Sequence, residues 1–275
     1  MRRIAAGLGF SVFGWWLLFG GVTSGLAEVA ADAFLNDFRI SGDYVLIVGG
    51  KRSEQAELYY SERARTYLVM APELPMPILV SPAAQDVQGV DRSKLLVRTD
   101  GTVDVAADAE LRAVGTFRLE GNAIHFLAGT RACRLEPRPW LLGPQTGAAL
   151  IASNPEYGRR SREFQPNSQA LAKLKEYRGE PVRVLTFFGS WCPFCKKHVP
   201  FLLRVEREIV GPSIRFDYYG LPEAFSGDPE ARRFGIRGVP TAIVFRGEKE
   251  IGRLAASEWQ SPESALAKLI LGSAP

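Results

Sequence analysis

Cysteine and histidine are scarce in this chain, three and two among 275 residues. A structural zinc site takes about four such ligands. Cys192, Cys195, His198 and Cys133 would make four, but the first three crowd one helical turn and Cys133 belongs to a different stretch, so no metal site is expected. Three cysteines are also too few for a scaffold built on disulfides. Charge of one sign is not in excess either: 34 Lys and Arg face 30 Asp and Glu, a net +4 that includes Arg2 and Arg3. Such near-balance gives no electrostatic case for a nucleic-acid partner. No internal repeat and no long low-complexity tract is found.

What is present begins with a run that has no charge at all. After Met1-Arg2-Arg3 the next charged residue is Glu28, and Ile4 to Ala27 is mostly apolar around Trp15-Trp16-Leu17-Leu18-Phe19. A basic opening followed by an apolar run is a secretory leader or an N-terminal membrane anchor. Small residues supply cleavage points after Ala27, Ala31 or Ala33, while the run is also long enough to span a bilayer. Residues 1–31 are therefore read as leader or anchor. The chain is expected to be exported and periplasmic, soluble after cleavage or held by the uncleaved leader.

The remainder is long enough for two domains. Residues 35–142 are a series of short apolar runs broken by Gly-Gly, Pro and Asp-Gly punctuation, which predicts a small antiparallel β-rich domain. Its clearest hairpin is Thr116–Glu120 and Ala123–Leu127 around Gly121-Asn122. His125 falls on that hairpin's polar face and reads as a surface histidine. Nothing in this half tells its role. Pro137, Pro139, Gly143 and Pro144 close it, and 143–166, a small apolar stretch at Ala148–Ala152 followed by a polar, arginine-rich 154–166, reads as a linker. Residues 167–275 alternate helix and strand in the order αβαβαββα, an α/β domain.

Between the strand Val182–Phe188 and the following helix lies Gly189-Ser-Trp-Cys-Pro-Phe-Cys-Lys-Lys-His-Val-Pro200. Thiol–disulfide exchange is performed by a thiolate, so a redox cysteine needs surroundings that favour the anion. Cys192 at a helix start, with Pro193 in the first turn, meets unpaired N–H groups and the positive end of the helix dipole. Cys195 sits one turn along and faces back to its partner. An inert structural disulfide is disfavoured because so short a ring removes little chain entropy. Cys133 reads as a half-buried strand thiol; a transient bridge from it to Cys192 is the alternative.

Trp191-Cys-Pro-Phe-Cys-Lys196, Pro200 eight residues after the first cysteine, and Gly238-Val239-Pro240-Thr241 before the closing hairpin together resemble the thioredoxin family, over about 110 residues. The similarity is greatest to its exported reductases, among them those serving cytochrome maturation. It implies a thioredoxin-like domain that exchanges thiols and disulfides on protein substrates. Cys192 would be the nucleophile, Cys195 the resolving thiol, Pro240 a cis-proline that with Val239 binds the substrate strand, and Trp191 an apolar flank. No dissociable cofactor is implied, but a redox partner must reset the pair.

Three positions depart from the family pattern. Thr186 replaces the buried aspartate of cytosolic thioredoxins, Phe194 the histidine of strong periplasmic oxidants, and His198 a glutamate of some exported reductases. Absence of the oxidant's histidine points to reduction or isomerisation. His198, three residues after Cys195, is the candidate proton relay, against the plainer reading of an exposed helix residue. The competing function is a partner-binding module that docks proteins without redox turnover.

Overall fold

A computed structural model describes residues 35–209, 211 and 213–272. The leader or anchor read over residues 1–31 lies outside the described residues. Among the described residues, no helix is long and apolar enough to cross a membrane.

Residues 39–137 form antiparallel sheets. Six strands lie in the spatial order Arg39–Ile40, Glu57–Ser61, Thr66–Met70, Ile78–Ser81, Asp86–Gly89 and Arg112–Ala113; five more lie in the order Phe117–Glu120, Ala123–Ala128, Arg131–Pro137, Tyr44–Val48 and Lys51–Arg52. Side chains alternate across a strand, and this decides how the two sheets meet. Leu58, Val69, Ile78 and Val80 of the first pack with Leu46, Ile124, Phe126 and Leu135 of the second. The opposite face of the first sheet, Leu68, Met70 and Leu79, is covered by Phe38, Val103 and Val105, the last two from a small hairpin, Leu95–Val97 with Val103–Val105. A sheet buried on both faces explains why Leu68-Val69-Met70 reads as continuously apolar rather than alternating. His125 stands opposite Arg118 and Arg134 in this region, with Glu120 3.4 Å away.

From Gly143 onward a second body begins. Its sheet holds β1 (Gly143–Gln145), β2 (Val182–Phe188), β3 (Ile214–Gly220), β4 (Thr241–Arg246) and β5 (Lys249–Arg253) in the spatial order β1-β3-β2-β4-β5. Only β2 and β3 run parallel. The helices are α1 (Gly147–Ser153), α2 (Pro155–Glu163), α3 (Ser168–Glu176), α4 (Pro193–Glu208), α5 (Pro229–Arg233) and α6 (Pro262–Leu271). Along β2, Val182, Val184 and Phe188 join the core that contains both close cysteines, while Leu185 and Phe187 join the core on the other face. By that alternation Thr186 faces the cysteine side.

The linker reading of residues 143–166 is corrected. β1 pairs with β3 at the sheet edge, and α1 and α2 bury Leu150 and Tyr157 completely in the cysteine-side core. The arginines that suggested a linker belong to the polar face of α2, where Glu156–Arg160 and Arg159–Glu163 pair at i,i+4. Asn154 caps α2 through a hydrogen bond from the Glu156 amide, and Pro155 takes the first helical position. At the next helix Asn167 is the cap of α3, accepting from the Ala170 amide.

Candidate active site

Cys192 is the N-cap of α4 and Pro193 its first residue. The Cys192 Sγ accepts the Cys195 N–H at 3.4 Å, and its own S–H points at the Val239 carbonyl, 3.7 Å away. Cys195 lies inside the first turn and is fully buried, its Sγ accepting the Gly189 N–H at 3.5 Å. Burial pushes the Cys195 thiol well above its ordinary value. The two sulfurs therefore have different surroundings: one at a helix start beside a loop carbonyl, one sealed in the core. All three cysteines are thiols in this structure.

Two features of the preceding loop fix this arrangement. The Trp191 indole N–H donates to the Leu221 carbonyl at 2.8 Å, laying the ring across the loop. A Cβ on Gly189 would lie 2.5 Å from that indole, so the close approach needs glycine. On the far side of Cys192, the Val239–Pro240 peptide is cis, and Thr241 Oγ1 donates to the Gly238 carbonyl at 2.7 Å. Cys192, Trp191, Val239 and Pro240 are thus gathered at one end of the sheet.

His198 is placed differently from either expectation. It is 1 % exposed, tilted against Phe194 with ring centroids 4.2 Å apart and edge-on to Phe201 at 5.3 Å. Among the described residues neither ring nitrogen completes a hydrogen bond, and burial pulls its pKa down, helped by Lys197 and opposed by the Trp259 backbone. The exposed-helix reading is therefore wrong, because the two aromatic neighbours one helical turn away enclose the ring. A relay from here to Cys195 has no hydrogen-bonded route in this conformation. Thr186 is also fully buried, and among the described residues its hydroxyl has no partner.

Residues that the sequence reading passed over tie the two regions together beside the pair. Lys196, next to Cys195, meets Asp43 at 2.6 Å. Ser190 Oγ accepts the Leu141 N–H at 2.9 Å. Arg138 donates to the carbonyls of Gly42, Tyr44 and Ser153 at 2.9, 3.2 and 2.7 Å. Tyr157, on α2, is fully buried in the cysteine-side core. A signal for α2 was present in Asn154-Pro155, cap and first-turn proline, with Tyr157 and Ser161 at i,i+4; the contacts made by Asp43 and Arg138 have no sequence signature. Cys133 is buried within the antiparallel sheets, in a core separate from that of the other cysteines. Among the described residues no group of three or more His, Cys, Asp or Glu is placed to hold a metal.

Against known proteins, no family model matches this chain. Over 77 residues, 27% of its length, it is 31% identical to the human protein disulfide-isomerase TMX3, of which the match covers 16%; the orangutan (Pongo abelii) protein matches equally. Over 75 residues it is 29% identical to a thioredoxin of Chlamydia caviae, covering 65% of that protein. The chain is similar to thioredoxins over this stretch. It spans under a fifth of the disulfide-isomerase and just under two thirds of the bacterial thioredoxin. Among solved structures, a protein of unknown function from Pseudomonas aeruginosa aligns over 44% of this chain and 84% of its own at 15% identity, TM-score 0.36. Mitochondrial thioredoxin 3 from Saccharomyces cerevisiae aligns over 40% and 94% at 20% identity, TM-score 0.26.

Proposed function

We propose that this protein catalyses thiol–disulfide exchange on protein substrates outside the cytosol, in the reducing or isomerising direction. The observation that carries this reading is the unequal pair: Cys192 caps a helix and accepts an amide N–H, while Cys195 is sealed one turn away. The likeness to thioredoxins and to a disulfide-isomerase supports the same class of chemistry.

In the reducing direction the Cys192 thiolate attacks a substrate disulfide, forms a mixed disulfide and releases one substrate thiolate. Cys195 then loses its proton and attacks the Cys192 sulfur, releasing the second substrate thiol and leaving Cys192–Cys195 oxidised by two electrons. A redox partner must return those electrons. Burial disfavours the Cys195 anion, so resolution requires a proton acceptor that reaches the core. Val239 and Pro240 form the platform for the substrate strand, facing Cys192 through the Val239 carbonyl, and Trp191 is the apolar flank. The leader read at the N-terminus supports a periplasmic location, with release or membrane anchoring set by whether it is cleaved.

The test is single turnover of insulin disulfides by the reduced protein, with a Cys195→Ala variant accumulating a mixed disulfide through Cys192. An unreactive pair would leave the protein a docking module and sink this reading. Direction is read from the equilibrium potential against glutathione in a Cys133→Ser background. A value near about −270 mV marks a reductant, and one near about −120 mV an oxidant, which would overturn the direction proposed.

A further inference from the structure

Between the antiparallel sheets and the cysteine-bearing body lies a cleft of about 430 Å³, lined among others by Arg138, Trp140, Tyr157, Trp191 and the Lys196–Asp43 pair. Trp191 precedes Cys192 and Lys196 follows Cys195, so the cleft opens beside the redox pair.

Two groups in it lack what their chemistry requires. Tyr157 lines the cleft with its side chain fully buried, and among the described residues its hydroxyl has no hydrogen-bond partner, an arrangement that costs free energy unless an occupant of the cleft displaces what covers the hydroxyl and supplies one. Arg138 is held in place by three neutral carbonyl oxygens and, among the described residues, pairs with no carboxylate. A guanidinium has five N–H donors, so N–H groups remain to be directed elsewhere. Burial and Arg52 both oppose the charge of Arg138, and Asp43, which favours it, is already bound by Lys196. Arg52 itself is paired with Glu54 at 3.3 Å. A fixed cation and an unsatisfied hydroxyl in one cleft call for an acceptor-only group bearing negative charge. A carboxylate accepts from a guanidinium and a hydroxyl together. Around that polar centre, Trp140 presents an indole 47% exposed on the cleft wall, which suits an apolar side chain next to the acid.

We propose that this cleft binds an acidic residue of the substrate polypeptide, its carboxylate on Arg138 and Tyr157 and its apolar neighbour on Trp140, so that a disulfide close by in the same chain reaches Cys192. The proposal rests on the exchange reading above and adds to it a class of substrate: disulfides flanked by Glu or Asp and an apolar residue. The antiparallel region, through Arg138 and Asp43, then builds one wall of the substrate site.

The experiment compares two disulfide-bridged peptides, identical except for Glu or Gln beside the bridge, reduced by the full chain. The expected result is a KM about tenfold lower for the Glu peptide, a gap that narrows in high salt. Tyr157→Phe keeps the ring and removes the hydroxyl, and should shrink the gap; Trp140→Ala, at a half-exposed position, should raise KM for both peptides. Equal KM values in the unaltered protein, or a gap untouched by Tyr157→Phe, overturn the proposal. Binding is followed separately by tryptophan fluorescence in a Cys192→Ser chain with serine-substituted peptides. Preference for Glu there without turnover in the intact protein would sink the exchange reading and leave the site standing. Turnover without preference would do the reverse. Displacement of the Glu peptide by equimolar acetate would show a small-anion site and refute the polypeptide occupant.

Discussion

Both regions of this molecule bury cysteine, and they treat it in different ways. Cys133, 4% exposed, lies in a strand of the antiparallel region and its S–H points to the Arg131 carbonyl at 3.6 Å. Cys192, 8% exposed, caps a helix and its sulfur accepts an amide N–H. Each S–H points at a backbone carbonyl, that of Arg131 for Cys133 and that of Val239 for Cys192, and what separates the two is that Cys192 stands at a helix start. A strand directs its backbone donors along the ladder to neighbouring strands, whereas a helix start leaves its first N–H groups free to meet an anion. On the exchange reading proposed above, it is the backbone placement of a thiol, more than its depth, that would set which cysteine reacts.

Cys192→Ser and Cys133→Ser should break the symmetry most visibly. The first is expected to abolish disulfide reduction and the second to leave the rate within about twofold; an insulin-reduction assay on both decides, and loss of activity in Cys133→Ser would bring the strand thiol into the chemistry. Next in size come the two cores. Leu135 in the antiparallel region and Leu202 on α4 are both fully buried, so truncation of either to alanine should cost about 2–5 kcal/mol. Urea unfolding followed at both regions tests whether they share this loss. The ties through Arg138, Lys196 and Ser190 predict that either variant lowers the midpoint of one common transition, and two separated transitions would refute it.

The same contrast sets how much could be read in advance. The strand Val182–Phe188, the helix opened by Cys192-Pro193 and the hairpin register Phe117 against Phe126 follow from local patterns: an apolar run, a first-turn proline, alternation about a two-residue turn. That Cys192, Cys195, Val239 and Pro240 come together at one end of the sheet follows from two short motifs, Trp191–Lys196 and Gly238–Thr241, set in that strand and helix order. Residues 143–166 were not legible, because three arginines outweigh the few buried side chains of a short helix in any composition-based reading. His198 was misplaced because adjacent lysines suggest solvent, while the two phenylalanines that enclose it are separated from it by one turn. Asp43, Arg138 and Tyr157 come together only through tertiary packing.

A pH series narrows the comparison, since here both regions should behave alike. Burial raises the thiols of Cys195 and of Cys133 in the folded reduced protein. The folded state then holds protons that the unfolded state gives up above the ordinary thiol value. This contribution to stability is fully present below about pH 8.5 and is lost as pH rises, with a slope of up to about 1.4 kcal/mol per unit for each thiol. Urea midpoints of the reduced protein at pH 7 and pH 10 should fall, less so in Cys195→Ala and less again when Cys133→Ala is added. An unchanged fall in the double variant would assign the loss to other groups.

The smallest effect is expected where the two regions meet at Lys196 and Asp43. The pair is short, 2.6 Å, but both side chains keep solvent contact, 24% and 39% exposed. Water and salt screen such a pair, so Asp43→Asn should lower stability by only about 0.2–1 kcal/mol. Its consequence for the chemistry is directional all the same. With Asp43 neutral, the Lys196 ammonium is released beside the first turn of α4, where added positive potential favours a thiolate. Alkylation of Cys192 at low ionic strength should therefore be faster in Asp43→Asn than in the unaltered protein, and the difference should vanish in high salt. Equal rates at low salt would mean that the antiparallel region holds the redox helix in place without altering its charge.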